Sequence, residues 1–298
     1  MSVSLDFNNL LFAFFLFFCL LVEQVYGVTP LNNTNFANAA NDWCENTTSA
    51  EHIYGEISKW DVSQVTDFGY AFYNCEYEGE DEIDLSQWDV SNATSMRYLF
   101  YLVKFNPIVS NWDVSRVRDM GSMFNEAWNF SQDLSGWNVN SVENMNYMFR
   151  KAEKFESDLS NWDVSNVRRM SHMFEQAKAF KSDLSKWNVS GVTDFYSMFA
   201  GAAKFDSDIS TWNVSQGQYF NYMFYGAVNF AQSLCWDNSF LNSSRNVFKC
   251  TNCANNNCGE LSCTYCEHYP QESAANVPMY FLHFGTAILT IFWCMSMM

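Results

Sequence analysis

Basic residues are scarce in this 298-residue sequence: 16 Lys and Arg stand against 33 Asp and Glu, and none precedes Lys59. With a formal net charge of −17 and no basic block, the composition excludes a nucleic-acid binder and argues against attachment to an anionic membrane surface. Only 12 Gly and 4 Pro are present, which excludes a collagen-like chain. Charge is thin overall, at 16%, whereas aromatic residues reach 18%, so the chain has far too much apolar material for disorder. His occurs four times, at 52, 172, 268 and 283, in four separate segments. No Ser/His/Asp order, HExxH, phosphate loop or nucleotide fingerprint accompanies them, so the sequence points away from catalysis and from a bound cofactor.

The ends are apolar. Residues 10–22 form an uncharged run of the length of a signal-peptide core, and Val25 and Gly27 set small residues before a cut after position 27. The n-region departs from the pattern in having no Lys or Arg, so an uncleaved anchor is the alternative. Residues 277–298 carry no charge and have about the length of one membrane-crossing helix. No basic flank follows, and small residues precede them, so a glycolipid-anchor signal and a plain transmembrane tail both fit. The expected layout is a signal peptide over 1–27, an N-terminal cap over 28–56, repeats over 57–240, a Cys-rich cap over 241–272 and a membrane-anchor tail over 277–298. That route places the middle of the chain outside the cell, at its surface.

Between the ends runs a repeat. Trp stands at 60, 88, 112, 137, 162, 187, 212 and 236, a step close to 25 residues. Phe follows the same step at 124, 149, 174, 199 and 224, and again at 105, 130, 155, 180, 205 and 230. A fixed period in this range is the mark of a solenoid, whose units must stack to hide their apolar residues. In the unit 155–179, Leu159, Trp162 and Val164 have the spacing of a leucine-rich strand. Val167, Met170, Met173, Phe174 and Ala177 then recur at helical steps, with Ser165 placed to cap a short helix. The expected fold class is an α/β solenoid of short parallel strands and short helices, about 25 residues per turn.

The recurring Asp158-Leu159-Ser160-Asn161-Trp162-Asp163-Val164-Ser165, with Met173-Phe174, resembles the BspA-like leucine-rich-repeat surface proteins, in particular their 26-residue bacterial surface-protein branch. The match recurs from about Ile57 to Trp236, departing at Ala71-Phe72 and at Ser233-Leu234-Cys235-Trp236. The resemblance implies a right-handed leucine-rich-type coil, display at the cell surface, and adhesion or recognition of an extracellular protein or glycan. It implies no shared enzymatic activity.

Candidate binding residues fall in two sets. Asp113 and Asp163 belong to a column, one per unit, that reads Asp61, Asp89, Asp113, Asn138, Asp163, Asn188, Asn213 and Asp237. Such a column either hydrogen-bonds the following turn or forms a polar groove for cations and sugar hydroxyls. The segment around Arg168, Arg169, His172 and Tyr196 instead changes from unit to unit, as a surface that specifies one partner should. Glu78, Glu80, Asp81 and Glu82 lie in an acidic loop that is either a solvated excursion or a calcium site.

Eight Cys remain after Cys19 and Cys294 in the terminal segments are set aside, and none lies in the regular units between Cys75 and Cys235. Cys44 and Cys75 flank the first unit and are expected to pair. Cys235, Cys250, Cys253, Cys258, Cys263 and Cys266 follow the last Trp or nearly so, with connectivity open. Two CxxC pairs among them also have zinc-ribbon spacing, but behind a signal peptide disulfides are favoured. Among the N-x-S/T triplets, Asn32, Asn46 and Asn242 lie outside the repeats and are the preferred glycan acceptors. The two other readings are a structural wall or coat spacer and a glycan-acting enzyme with an acidic groove.

Overall fold

A computed structural model describes residues 30–77, 79, 82–234, 236, 244–248 and 251. The chain divides into two compact units, 1–267 and 268–298, and every described residue belongs to the first. The expected signal peptide, most of the Cys-rich cap and the apolar tail therefore lie outside the described residues. Among the described residues no helix is long and apolar enough to cross a membrane.

Two helices open the described chain. In α1, Phe36–Glu45, the residues Phe36, Ala39, Ala40 and Trp43 recur at three- and four-residue steps and are all buried. Asn46 ends this helix, its N–H donating to the Asp42 carbonyl, and begins α2, Thr47–Tyr54, its Oδ1 accepting from the Ser49 N–H at 3.0 Å. Gly55 closes α2 at φ 77, ψ 178, a conformation essentially restricted to glycine. The buried side of α1 lies on the rings of the first repeat: Phe36 sits 4.9 Å from Phe68, and Trp43 5.9 Å from Phe72. A Cys44–Cys75 disulfide, with Cα atoms 5.3 Å apart, joins the end of α1 to that repeat. The expected pair is thus present.

From there successive units lie in parallel register. Backbone pairings link Asp67 to Ser95, Ser95 to Asp119, Asp119 to Asn144, Asn144 to Arg169, Arg169 to Asp194 and Asp194 to Tyr219. The only strands among the described residues are β1, Glu82–Asp84, and β2, Asn106–Ile108, paired in parallel with Ile83 opposite Pro107.

The inside of the units follows the repeat pattern. Val164, Val167, Met170, Met173, Phe174 and Ala177 are at most 1% exposed, and their counterparts in the other units join them in one apolar cluster. Phe124, Phe149, Phe174 and Phe199 stack at 5.7 Å intervals, and each of these four also stacks on a Phe six residues later at 3.8–4.0 Å. The Trp column has a second duty. Trp162 Nε1 donates to the Leu134 carbonyl (3.0 Å), Trp187 to Leu159 (2.9 Å) and Trp212 to Leu184 (2.9 Å), each in the preceding unit. A buried indole needs such an acceptor, and phenylalanine could not supply the link.

Local structure differs from the expectation in both halves of the unit. Leu159–Val164 is not a strand, because Trp162 N–H turns back onto the Leu159 carbonyl at 3.1 Å. The Leu159 N–H goes to the Ser182 hydroxyl of the next unit (2.8 Å), so a side chain replaces a strand partner. Val167–Ala177 is not a helix, and Ser165 does not cap one. The N–H groups of Met170, His172, Phe174 and Gln176 donate forward to the carbonyls of Asp194, Tyr196, Met198 and Ala200, at 2.7–3.2 Å. Donors two residues apart, all aimed at the next unit, make a parallel ladder where a helix would have aimed them at its own preceding turn. His172 and Gln176 hold φ at 57° and 56°, which an α-helix forbids. The same pair of left-handed positions recurs at 122 and 126, 147 and 151, 197 and 201, and 222 and 226. Ladder and turn have exchanged places relative to the sequence reading, because apolar residues at three- and four-residue steps fit this turn-rich ladder as well as a helix.

Candidate binding face

The Asp column is a set of turns. Asp113 Oδ1 accepts from Ser115 N–H at 3.0 Å and Asp163 Oδ1 from Ser165 N–H at 3.1 Å. Asn138, Asn188 and Asn213 do the same at 3.2 Å. The serine hydroxyl and N–H hold the carboxyls of Asp61, Asp113 and Asp163 below their ordinary range. A second column, Asp133, Asp158 and Asp183, accepts N–H bonds from Ser135, Ser160 and Ser185 and hydroxyl bonds from Ser157, Ser182 and Ser207 of the following units. These aspartates are exposed, yet one oxygen of each is engaged within the turns.

The ladder segment offers different chemistry. The first left-handed position of each unit reads Tyr70, Tyr98, Ser122, Tyr147, His172, Ser197, Tyr222. Three residues on, the sequence reads Tyr73, Tyr101, Asn125, Arg150, Glu175, Ala200, Tyr225. Near α1 these columns form a tyrosine patch: Tyr70 stacks on Tyr98 at 4.7 Å, and Tyr73 on Tyr101 at 4.9 Å. Tyr70 is 55% and Tyr73 48% exposed, and the Arg97 guanidinium lies 5.1 Å from the centre of the Tyr98 ring.

Further along, the same columns carry charge. His172 lies 4.4 Å from the Tyr147 ring and 5.0 Å from that of Tyr196, its Nδ1 2.6 Å from Glu175 Oε2. Arg150 joins Glu175 (3.0 Å) to Glu126 (2.7 Å), and Lys151 also reaches Glu126 (2.9 Å). Burial pushes the Glu175 carboxyl up, but the His172 ring and the Arg150 guanidinium outweigh it, so it lies below its ordinary value. Burial has the upper hand at Asp194, whose carboxyl is raised although it accepts the Tyr196 N–H at 3.0 Å.

Of the residues singled out from the sequence, His172 and Tyr196 meet in this cluster. Arg169 lends its backbone to the ladder, and exposed Arg168 directs Nη1 toward the Ser165 and Val167 carbonyls at 3.4 Å. Arg168 also lines an open polar groove of about 490 Å³ with Arg118, Asn140, Ser141, Glu143 and Asn166. Asp113 and Asp163 lie in the turn column, apart in sequence from the ladder. Glu82 accepts from Asn106 and Gln132, both at 3.1 Å. Glu78, Glu80 and Asp81 lie outside the described residues, as do Cys235, Cys250, Cys253, Cys258, Cys263, Cys266 and Asn242. No cluster of three or more metal-ligating side chains occurs among the described residues. Sequence reading missed Tyr70, Tyr73, Tyr98, Tyr101, Glu126, Arg150 and Glu175. Aligning the units on the Phe of the Met-Phe pair would have set them in three columns, with Glu126 in the column of the second left-handed position.

Parallel units with a uniform turn column and a varied ladder column define a repeat protein. Three overlapping stretches, 39–101, 70–185 and 153–261, match the family model described as Mycoplasma protein of unknown function, DUF285, and the chain belongs to that family. No curated protein and no solved structure matches the chain.

Proposed function

We propose that the protein is a non-catalytic binding or adhesion module of the cell surface. In this reading it is a BspA-like, leucine-rich-type solenoid of parallel units that passes through the secretory pathway and stays tethered by its C-terminal tail. Its partner is an extracellular protein or glycan. The observation that carries the reading is the contrast between the two columns. The turn aspartates are uniform and engaged, whereas the ladder columns vary from unit to unit and carry Tyr, Arg, His, Ser and Asn. That composition is the one binding loops use, because Tyr gives contact area at little entropic cost and Ser and Asn adapt their hydrogen bonds. Carboxyls held below their ordinary range make poor general acids, which speaks against Asp113 and Asp163 as the proton donors of a glycan-acting enzyme.

A screen of the full chain against surface proteins and glycans, followed by variants, tests the reading. Tyr70→Ala with Tyr73→Ala weakens binding by about 30-fold or more, the effect of removing a hot spot of ~2 kcal/mol. Asp113→Asn with Asp163→Asn, made in a host without N-glycan transfer because each change creates an N-V-S triplet, leaves it unchanged. Equal losses from both pairs would overturn the assignment of the face. A structural spacer is the second reading, favoured by the unbroken run of inter-unit hydrogen bonds; in that case neither pair alters any binding.

A further inference from the structure

Six of the N-x-S/T triplets lie among the described residues, and their side chains are of two kinds. Asn188 Oδ1 accepts both the N–H (3.2 Å) and the hydroxyl (2.7 Å) of Ser190. Asn32 Oδ1 accepts the same two groups from Thr34, at 2.9 and 2.6 Å, and Asn213 Oδ1 accepts the Ser215 N–H at 3.2 Å. Together with Asn46, these residues are exposed, and their Nδ2 atoms make no hydrogen bond among the described residues. At Asn92 and Asn129 the amide is engaged instead. Their Nδ2 atoms donate to the Ser63 carbonyl (3.0 Å) and the Lys104 carbonyl (2.8 Å) of the preceding unit, and both residues are half-buried. Their partner hydroxyls also point elsewhere: Thr94 Oγ1 donates to the Thr66 carbonyl, and Ser131 Oγ accepts from Asn106.

We propose that Asn188 and Asn213, one unit apart in the turn column, carry N-linked glycans, and that Asn92 and Asn129 stay bare. The proposal rests on the secretory route given under Proposed function. The amide Nδ2 attacks the anomeric carbon of a lipid-pyrophosphate-linked oligosaccharide. The N–C bond forms, the C–O bond to pyrophosphate breaks, and the lipid pyrophosphate leaves with the electron pair. One Nδ2 hydrogen departs as a proton to a base of the transferase.

Transfer precedes folding, so the fold acts as a filter. A sugar on Asn188 or Asn213 projects into solvent and leaves every Oδ1 bond of the turn intact. A sugar on Asn129 crowds a nitrogen held against the Lys104 backbone, so that a chain modified there cannot close the junction between two units. The consequence for recognition is that the turn column is shielded in the later units. The varied ladder, which begins about seven residues further along each unit, remains the open surface.

Asn138 provides a built-in control. It makes the same turn, with Asn140 N–H at 3.2 Å, but Asn140 lacks the hydroxyl the transferase needs. The full chain is expressed in a eukaryotic secretory system, and occupancy at each Asn is read by glycopeptide mass spectrometry. Asn188 and Asn213 are occupied in the secreted protein, Ser190→Ala and Ser215→Ala each remove one glycan, and Asn140→Ser adds one. Asn92 and Asn129 remain unmodified. Bare Asn188 and Asn213 beside an occupied Asn32 or Asn46 would overturn the proposal while leaving the secretory route standing. Equal occupancy at Asn92 and Asn129 would overturn the structural filter. A chain bare at every asparagine would overturn the route and the proposal together.

Discussion

Each unit contains two segments that meet their neighbours by different means. In the Asp158–Ser165 segment, junctions are made by side chains: the Trp162 indole reaches back to Leu134, and the Ser182 hydroxyl bridges Leu159 N–H and Asp158. In the Arg169–Gln176 segment, they are made by main chain, with alternate N–H groups donating to the next unit. A side-chain junction constrains residue type, so Asp, Leu, Ser and Trp recur almost without change. A main-chain junction accepts any residue that tolerates its dihedral angles, so the same columns hold Tyr, Ser, His, Arg and Glu. Variability is therefore located by the hydrogen-bonding scheme, and the face free to vary is the face free to acquire specificity.

The largest way to break this contrast is to remove a core residue of the ladder segment that also packs on the other segment, as Phe174 does on Trp187 with ring centres 6.3 Å apart. Phe174 is fully buried, stacked on Phe149 and Phe199 at 5.7 Å and on Phe180 at 3.9 Å. Phe174→Ala is expected to cost about 3–5 kcal/mol, read from the urea midpoint. Because each unit is held by its neighbours, the loss is expected to separate the transition into two steps, with units on either side melting independently. A single cooperative transition shifted by less than about 1 kcal/mol would mean that the stack transmits little from unit to unit.

The second break concerns the ladder alone. Glu175→Gln removes the buried negative charge that faces Arg150 and His172, leaving one neutral amide oxygen as acceptor. A loss of about 2–3 kcal/mol is expected, less than for an isolated buried pair, because Arg150 keeps Glu126. The wild-type carboxyl lies below its ordinary value in the fold. Its contribution is therefore complete above the ordinary glutamate pKa of about 4.3 and is lost as pH falls through the lowered folded value. Thermal melts from pH 6 downward should show a shallower acid-side decline for Glu175→Gln than for wild type. Identical slopes would remove Glu175 as a source of acid lability.

Much of the architecture could be read from the sequence, and what could not has a physical cause. The inward residues, the period and the Cys44–Cys75 pair all follow from spacing, since a buried Phe or Trp at a fixed step allows few arrangements. The identity of the local elements did not follow. Val167, Met170, Met173, Phe174 and Ala177 carry a helix-like period, but positive φ at His172 and Gln176 is not encoded by glycine and leaves no mark in composition. Only at Gly201 and Gly226 does the second left-handed position show itself. The candidate face was half legible: His172 and Tyr196 stood out as unlike their counterparts, whereas Glu126, Arg150 and Glu175 became a cluster only once the ladder register was known.

The smallest effect tests the turn column most directly. Asp163 holds Ser165 N–H through one oxygen, and Asn188 and Asn213 hold the equivalent serines with an amide oxygen at nearly the same distance. In protein made without N-glycan transfer, since the change creates an N-V-S triplet, Asp163→Asn should therefore be neutral within about 0.5 kcal/mol, because charge is not what the turn requires. Asp163→Ala should cost about 1 kcal/mol, since it leaves the turn N–H without its acceptor. If the column instead served as a cation groove, Asp163→Asn would lower stability in calcium-containing buffer and not in chelator, whereas a turn-forming role makes calcium irrelevant to both variants. Paired melts of the two variants, with and without calcium, separate a carboxylate kept for its geometry from one kept for its charge.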